Sequence, residues 1–178
     1  MNKKQEGLGL IQVFTGNGKG KTTAALGEAL RASGHNYKVL VVQFMKSDTK
    51  YGEVKISKKI KNLDIKPFGL PTFVKKGEPS SDDIKLAKEA LNFAKSSIME
   101  RKYDMVILDE INVAIAYGLL KLEDVLTILR KRPGGIEIIL TGRYAPEEII
   151  KIADLVSDIA EIKHPYQKGI PARKGVEW

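Results

Sequence analysis

At 178 residues, 43% hydrophobic and 29% charged, the chain has the size and composition of one globular domain (1–178) able to bury its own core. It has no cysteine, which excludes disulfides, thiolate nucleophiles and cysteine-ligated zinc or iron–sulfur centres. Thirty Lys and Arg against 22 Asp and Glu leave a net charge of +8; the expected partners are therefore anions, but the lysines are too scattered for a stable nucleic-acid stripe.

No apolar run is long enough to cross a bilayer, and the first residues lack the apolar stretch of a signal peptide, so the expected setting is cytoplasmic and off the membrane. Along the chain, short apolar runs alternate with longer stretches of helical period, the pattern of βαβ units and a parallel sheet. Residues 8–14 open as a strand and lead through a glycine-rich loop into a helix from Thr22 to about Ser33, with Leu26, Ala29 and Leu30 on one face. A strand at 38–44 is nearly continuous Val and Leu, as a strand covered on both faces should be. It is followed by an irregular stretch at 45–53, a strand at 63–66 and a second irregular stretch at 67–81.

Residues 82–102 carry Ile84, Ala87, Leu91, Ala94 and Ile98 at helical spacing, with Ser80 and Asp83 resembling a capping box. A strand at 104–108 ends in Asp109 and Glu110, and a helix at 122–132 stops at Pro133-Gly134-Gly135. After a strand at 136–140, Pro146 marks the first turn of a helix running to about Ala153, and a last strand is expected at 157–163. Ligands of open parallel sheets bind at the carboxyl ends of the strands, so 45–53 and 67–81 are candidate lids or substrate walls as well as plain surface connections.

Between the first strand and helix lies Thr15-Gly16-Asn17-Gly18-Lys19-Gly20-Lys21-Thr22-Thr23. The glycines let the backbone curl so that N–H groups face an oxyanion, and the helix N-terminus adds partial positive charge. Lys21 is placed to reach terminal phosphates and Thr22 to ligate Mg2+. The usual pattern has its first glycine at the position of Thr15; here it is shifted to Gly16. Asp109 stands where P-loop enzymes hold magnesium, and Glu110 is a second carboxylate that either joins it, positions water in a hydrolase, or opens the next helix. Arg143, in Thr141-Gly142-Arg143, is at the same sheet edge and either clamps a polyphosphate or pairs with Glu147 or Glu148. His35 and His164, the only histidines, stand in no metal-ligand spacing and read as structural or surface residues.

These residues resemble a known family, the P-loop type of ATP:corrinoid adenosyltransferases. The likeness runs in order through Gly16 to Thr23, Val39 to Phe44, Ile107-Leu108-Asp109-Glu110-Ile111-Asn112, Ile139 to Arg143 and Ala153 to Asp158, then Lys163-His164-Pro165-Tyr166 and Gly169 to Glu177. It implies a RecA-like fold, mostly parallel, with helices on both faces, and a homodimer acting in cobalamin synthesis or salvage. ATP and a reduced cob(I) corrinoid are the implied substrates. Cobalt attacks the 5′ carbon of ATP and expels triphosphate, and an electron-donating reductase is implied as partner. The phosphate loop of this family holds the nucleotide in a reversed sense, with which the shifted Gly16 agrees.

Aromatic residues of the family help displace the lower axial ligand of the corrinoid. Phe68 and Phe73 cover that segment here, Phe73 being the better candidate, and Asn112 belongs to the same expected corrinoid side. Some relatives have Phe-x-Trp there; here position 75 is Lys75 and the only Trp is Trp178. The same two phenylalanines also read as core anchors of their loop. A nucleic-acid motor, a small-molecule kinase and a nucleotide sensor share the phosphate loop, and reaction products separate them: triphosphate, ADP with phosphate, ADP with a phosphorylated acceptor, or none.

Overall fold

The computed structural model describes residues 7–47 and 51–177. The expectations on the first six residues, on the middle of 45–53 and on Trp178 lie outside the described residues. Six strands pair in parallel: β1 (Ile11–Thr15), β2 (Val39–Phe44), β3 (Leu63–Phe68), β4 (Met105–Asp109), β5 (Glu137–Thr141) and β6 (Leu155–Asp158). They lie in the order β3-β2-β4-β5-β1-β6. The connecting helices are α1 (Lys21–Gly34), α2 (Gly52–Ser57), α3 (Ser81–Met99), α4 (Ile111–Ala116), α5 (Leu122–Lys131) and α6 (Glu147–Ile152), followed by a 3-10 turn at Pro165–Lys168.

Two hydrophobic clusters sandwich the sheet, one on each face, as the period of two in a strand requires. Leu40, Val42, Phe44, Val106, Leu108, Ile138 and Leu140 point to the face covered by α3, α4, α5 and α6. Their alternates Val39, Val41, Ile107 and Ile139 point to the face covered by α1, with Val54 of α2 beside them. β2, β4 and β5 are buried along their whole length, whereas the edge strands β3 and β6 are partly exposed. The doubly covered α/β architecture expected from the alternation is present.

Several boundaries differ, each for a local reason. The last strand is Leu155–Asp158 rather than 157–163: β6 pairs only with β1, and their register ends at Thr15 opposite Asp158, where the phosphate loop leaves the sheet. The chain beyond therefore has no strand to pair with. β1 begins at Ile11 because the N–H groups of Gly9 and Leu10 donate to the Glu137 carboxylate, both at 2.9 Å. β3 runs on through Pro67, which an edge strand tolerates. Pro146 is the N-cap of α6 rather than its first helical residue, and α2 and α4, each six residues long, were not expected.

α1 buries Ala25, Ala29 and Ala32, while Leu30 is 57% exposed, contrary to the expected face. The three alanines follow a stripe at spacings of four and three, and position 30 is rotated about 100° from position 29. Small side chains there let the helix axis lie close over the sheet. α3 buries most of the expected stripe, with Ala87, Leu91, Ala94 and Ile98 in the core, while Ile84 in its first turn is only partly buried. Its capping box is formed: Asp83 N–H donates to Ser80 Oγ at 3.1 Å, and Ser80 N–H donates to Asp83 Oδ2 at 3.1 Å. Ser80→Ala should therefore cost about 1 kcal/mol, measured as a lower urea midpoint with an unchanged m-value.

Candidate active site

The phosphate loop springs from the end of β1 and enters α1 at Lys21, with Gly20 as N-cap at φ 129°. It is packed from outside by the turn that follows β6. Ile159 N–H donates to Thr15 O at 2.9 Å, and Gly18 N–H donates to Ile159 O at 2.7 Å. The Gly18 amide is thus spent on the chain itself, a correction to the expectation that the glycine loop turns its N–H groups inward. A Cβ on Gly18 would come within 2.5 Å of Ala160 O, and one on Gly16 would overlap Asp158 Oδ1 and the Ile159 backbone. Gly16 also has φ 94°, a region that favours glycine. The shifted glycine is required by this close packing.

No acidic residue of α1 itself occupies its first turn. Lys21 is nearly buried and its Nζ donates to Gly18 O at 2.6 Å. Burial lowers its pKa, against the opposing pull of the Glu110 charge.

Asp109, fully buried at the end of β4, binds the site together. Thr22 Oγ1 donates to its Oδ1 at 2.8 Å and Thr141 Oγ1 to the same oxygen at 2.7 Å. Gln43 Nε2 donates to Oδ2 at 3.1 Å, and Lys46 Nζ does so at 2.9 Å. Burial by itself would raise the carboxyl pKa, but the Lys46 charge and the hydrogen bonds outweigh it and hold it below the ordinary value. Glu110 differs: burial and the neighbouring Asp109 charge raise its pKa. It stands in the left-handed region at φ 66°, with its N–H donating to Thr141 Oγ1 at 2.9 Å. The two neighbouring carboxyls are thus shifted in opposite directions.

Arg143 lies over the loop, its Nη2 donating to Asn17 O at 3.1 Å and lying 4.0 Å from Glu161 Oε2. Glu147, an alternative partner, pairs instead with Lys151 at 2.9 Å. Lys19 Nζ meets Glu177 Oε1 at 2.9 Å, and Glu177 is held by Arg173 at 3.0 Å, which keeps its carboxyl pKa low. A cleft of about 640 Å³ opens here, lined by the phosphate loop and by Lys46, Glu110, Arg143 and His164. That volume suits a nucleotide-sized ligand. His164, expected to be structural or superficial, thus borders the cleft; its Nδ1 accepts the Tyr166 N–H at 3.2 Å.

The three residues expected on the corrinoid side are not together. Phe73 is fully exposed on 67–81. Phe68, half-buried at the end of β3, packs against the core with its ring 5.8 Å from that of Phe93, so it anchors the segment. Asn112 is fully buried in α4, with Nδ2 donating to Gly142 O at 3.4 Å, and in this conformation it offers no surface to a ligand. Sequence reasoning passed over Gln43, Lys46, Glu53 and Thr141. For Gln43 a signal existed, a lone amide in an otherwise apolar strand; for Lys46, one of many scattered lysines, none did.

A glycine loop between strand and helix, a buried aspartate tied to its threonine and an arginine over the loop define a P-loop nucleotide-binding protein of RecA-like fold. Two solved structures are alike in fold. The flagellar accessory protein FlaH from Methanocaldococcus jannaschii has TM-score 0.54 and 16% identity, over 88% of this chain and 75% of that one. The KaiC-like protein PH0186 from Pyrococcus horikoshii OT3 has TM-score 0.55 and 16% identity, over 87% and 73%. The family model described as ATP:corrinoid adenosyltransferase BtuR/CobO/CobP matches residues 7–178. The corrinoid adenosyltransferase of Escherichia coli K12 is 38% identical over 98% of this chain and 88% of its own length. Corrinoid adenosyltransferase CobA of Salmonella typhimurium LT2 gives the same figures, and that of a Sinorhizobium species is 37% identical over 100% and 84%. The chain belongs to the ATP:corrinoid adenosyltransferase family and is a transferase.

Gly16→Ala adds a Cβ against Asp158 and Ile159 at a positive φ. It should abolish nucleotide binding while leaving the far-UV circular dichroism near wild type, read by titration with a fluorescent ATP analogue.

Proposed function

We propose that the cleft binds ATP with its polyphosphate along residues 16–23 and presents the 5′ carbon to the cobalt of a reduced cob(I) corrinoid. The observation that carries this reading is the convergence of Lys21, Thr22 with Asp109, and Arg143 on one cleft. An electron pair on cobalt forms the cobalt–carbon bond, the C5′–O bond breaks, and triphosphate leaves with that bond's electrons. Cobalt passes formally from the +1 to the +3 state. Cob(I) is itself a strong nucleophile, so no side chain has to remove a proton. What is asked of the chain is alignment and neutralisation of charge on the leaving group.

Lys21 and Arg143 supply cations for that triphosphate, and the start of α1, with loop amides other than that of Gly18, supplies dipoles. The Thr22 hydroxyl and the Asp109 carboxylate, hydrogen-bonded to each other, are hard oxygen donors of the kind that fits Mg2+, an ion bound through one or two protein oxygens with phosphate and water completing its shell. Glu110, which lines the cleft beside Asp109, is the second carboxylate proposed on the metal side. Mg2+ on these residues would add to the neutralisation of the triphosphate.

Phe73 is proposed as the residue that meets the corrinoid, supported by its full exposure on a segment leaving the carboxyl edge of the sheet. Phe68 supports it by packing against the core, and Asn112 acts at one remove by holding the Gly142 backbone next to Arg143. The homodimer, the electron-donating reductase, the cytoplasmic setting and the single domain over 1–178 belong to the same proposal, on the strength of the family. Among the described residues no helix is long and apolar enough to cross a membrane.

Two tests follow. With magnesium-ATP and chemically reduced cob(I)alamin under anaerobic conditions, wild type should form a light-sensitive adenosyl-corrinoid and triphosphate. Lys21→Ala should abolish turnover, and Arg143→Ala should lower kcat/KM roughly 10- to 1000-fold; unchanged kinetics would remove Arg143 from the mechanism. Phe73→Ala should impair the reaction from cob(II) with an enzymatic reductant yet spare it from preformed cob(I). Equal loss under both regimes would show damage to the fold instead.

A further inference from the structure

The Asp109 carboxylate is saturated. Each of its oxygens accepts two hydrogen bonds, Oδ1 from Thr22 and Thr141, Oδ2 from Gln43 and Lys46. A carboxylate oxygen has about two lone-pair sites, so a cation reaching Oδ2 must take the place of a donor already there. The donors differ in how firmly they are held. Gln43 and Thr141 stand on strands buried along their whole length, and Thr22 is in the first turn of α1. Lys46 lies just beyond β2, carries its charge on a flexible stem, and borders the cleft.

Lys46 also has somewhere to go. Glu53 Oε1 is 3.7 Å from its Nζ, and the Tyr51 ring centroid is 5.7 Å away. Gln43 Nε2, which donates to Asp109, donates to Glu53 Oε1 as well at 3.2 Å, so the second carboxylate is braced beside the first. Retaining the ammonium on Oδ2 while a dication binds the same carboxylate would place like charges side by side in a partly desolvated site. Gly69, at the start of the segment that carries Phe73, lies against the Met45–Lys46 backbone, where an added Cβ would come 2.6 Å from Lys46 N.

We propose that Lys46 is the resident counter-cation of Asp109, which the divalent ion displaces toward Glu53 and the polyphosphate when it loads, so that metal binding repositions the end of the β2 connection next to the Phe73 segment. Lys46 is in this sense a positioning residue: it keeps the buried carboxylate neutralised between turnovers and makes divalent-ion binding depend on its own departure. The proposal rests on the reading of Asp109 as a metal-side carboxylate.

The test is a titration of the full chain with Mn2+, without nucleotide, following free Mn2+ by electron paramagnetic resonance. Asp109→Asn should weaken binding relative to wild type. Lys46→Met should tighten it, by roughly ten-fold if the displaced hydrogen-bonded ion pair is worth what such pairs usually are. Mere damage to the site would weaken binding, so the direction separates displacement from a structural role. Should Lys46→Met fail to fold by circular dichroism, Lys46→Gln removes the same charge with a polar side chain and should also tighten binding. Affinity unchanged or weaker in the folded Lys46 variant, with Asp109→Asn still weakening it, would overturn the displacement and leave the metal reading standing. No effect of Asp109→Asn would overturn both.

Discussion

The site depends on one buried carboxylate. Asp109 is wholly removed from water, and an unpaired carboxylate in that position would be very costly or would take up a proton. It stays an anion because α1, β2 and β5 each send it a donor and the connection after β2 sends a cation. Three regions far apart in sequence, at Thr22, at Gln43 to Lys46 and at Thr141, are thereby held to one point on β4. The same bonds fix the rotamer of Thr22, the only phosphate-loop side chain tied directly to β4 among these contacts.

The order of the strands makes this possible. β5 lies between β4, which carries Asp109, and β1, which leads to the phosphate loop. From the end of β5, Thr141 reaches sideways to Asp109 and to the Glu110 amide, and two residues on Arg143 reaches the other way to Asn17. One inserted strand thus serves both the acid and the loop. On the far side, β6 pairs with β1 and its following turn closes against Gly16 and Gly18. The loop is shaped by a neighbour as much as by its own glycines.

The charge in the cleft suits the polyphosphate proposed to bind there. Lys19, Lys21, Lys46 and Arg143 border it; Lys19 pairs with Glu177, Lys46 with Glu53 and Asp109, Arg143 lies near Glu161, and Lys21 donates to Gly18 O. Each cation is therefore held in place by a carboxylate or carbonyl that a more highly charged anion can outbid. This suits a reaction in which the nucleophile needs no deprotonation and the main electrostatic task lies with the leaving group.

Much of this was legible in the sequence. Residues 16–23 between an apolar run and a helical stripe, Asp109 at the end of Met105–Leu108, and the spacing of Ala87, Leu91, Ala94 and Ile98 specify a phosphate loop, its acid and a doubly covered sheet, because local periodicity and glycine chemistry act over a few residues. The likeness of the ordered motifs to corrinoid adenosyltransferases was legible too. What only the tertiary structure decided depends on contacts between distant segments. Leu30 turned outward because α1 lies on an alanine stripe, and β6 stopped at Asp158 because β1 does. Phe68 packed against the core and Phe73 went to solvent because one ends a paired strand and the other does not. Lys46 and Gln43 joined Asp109 through β2 lying beside β4, and no pattern along the chain states which strands are neighbours.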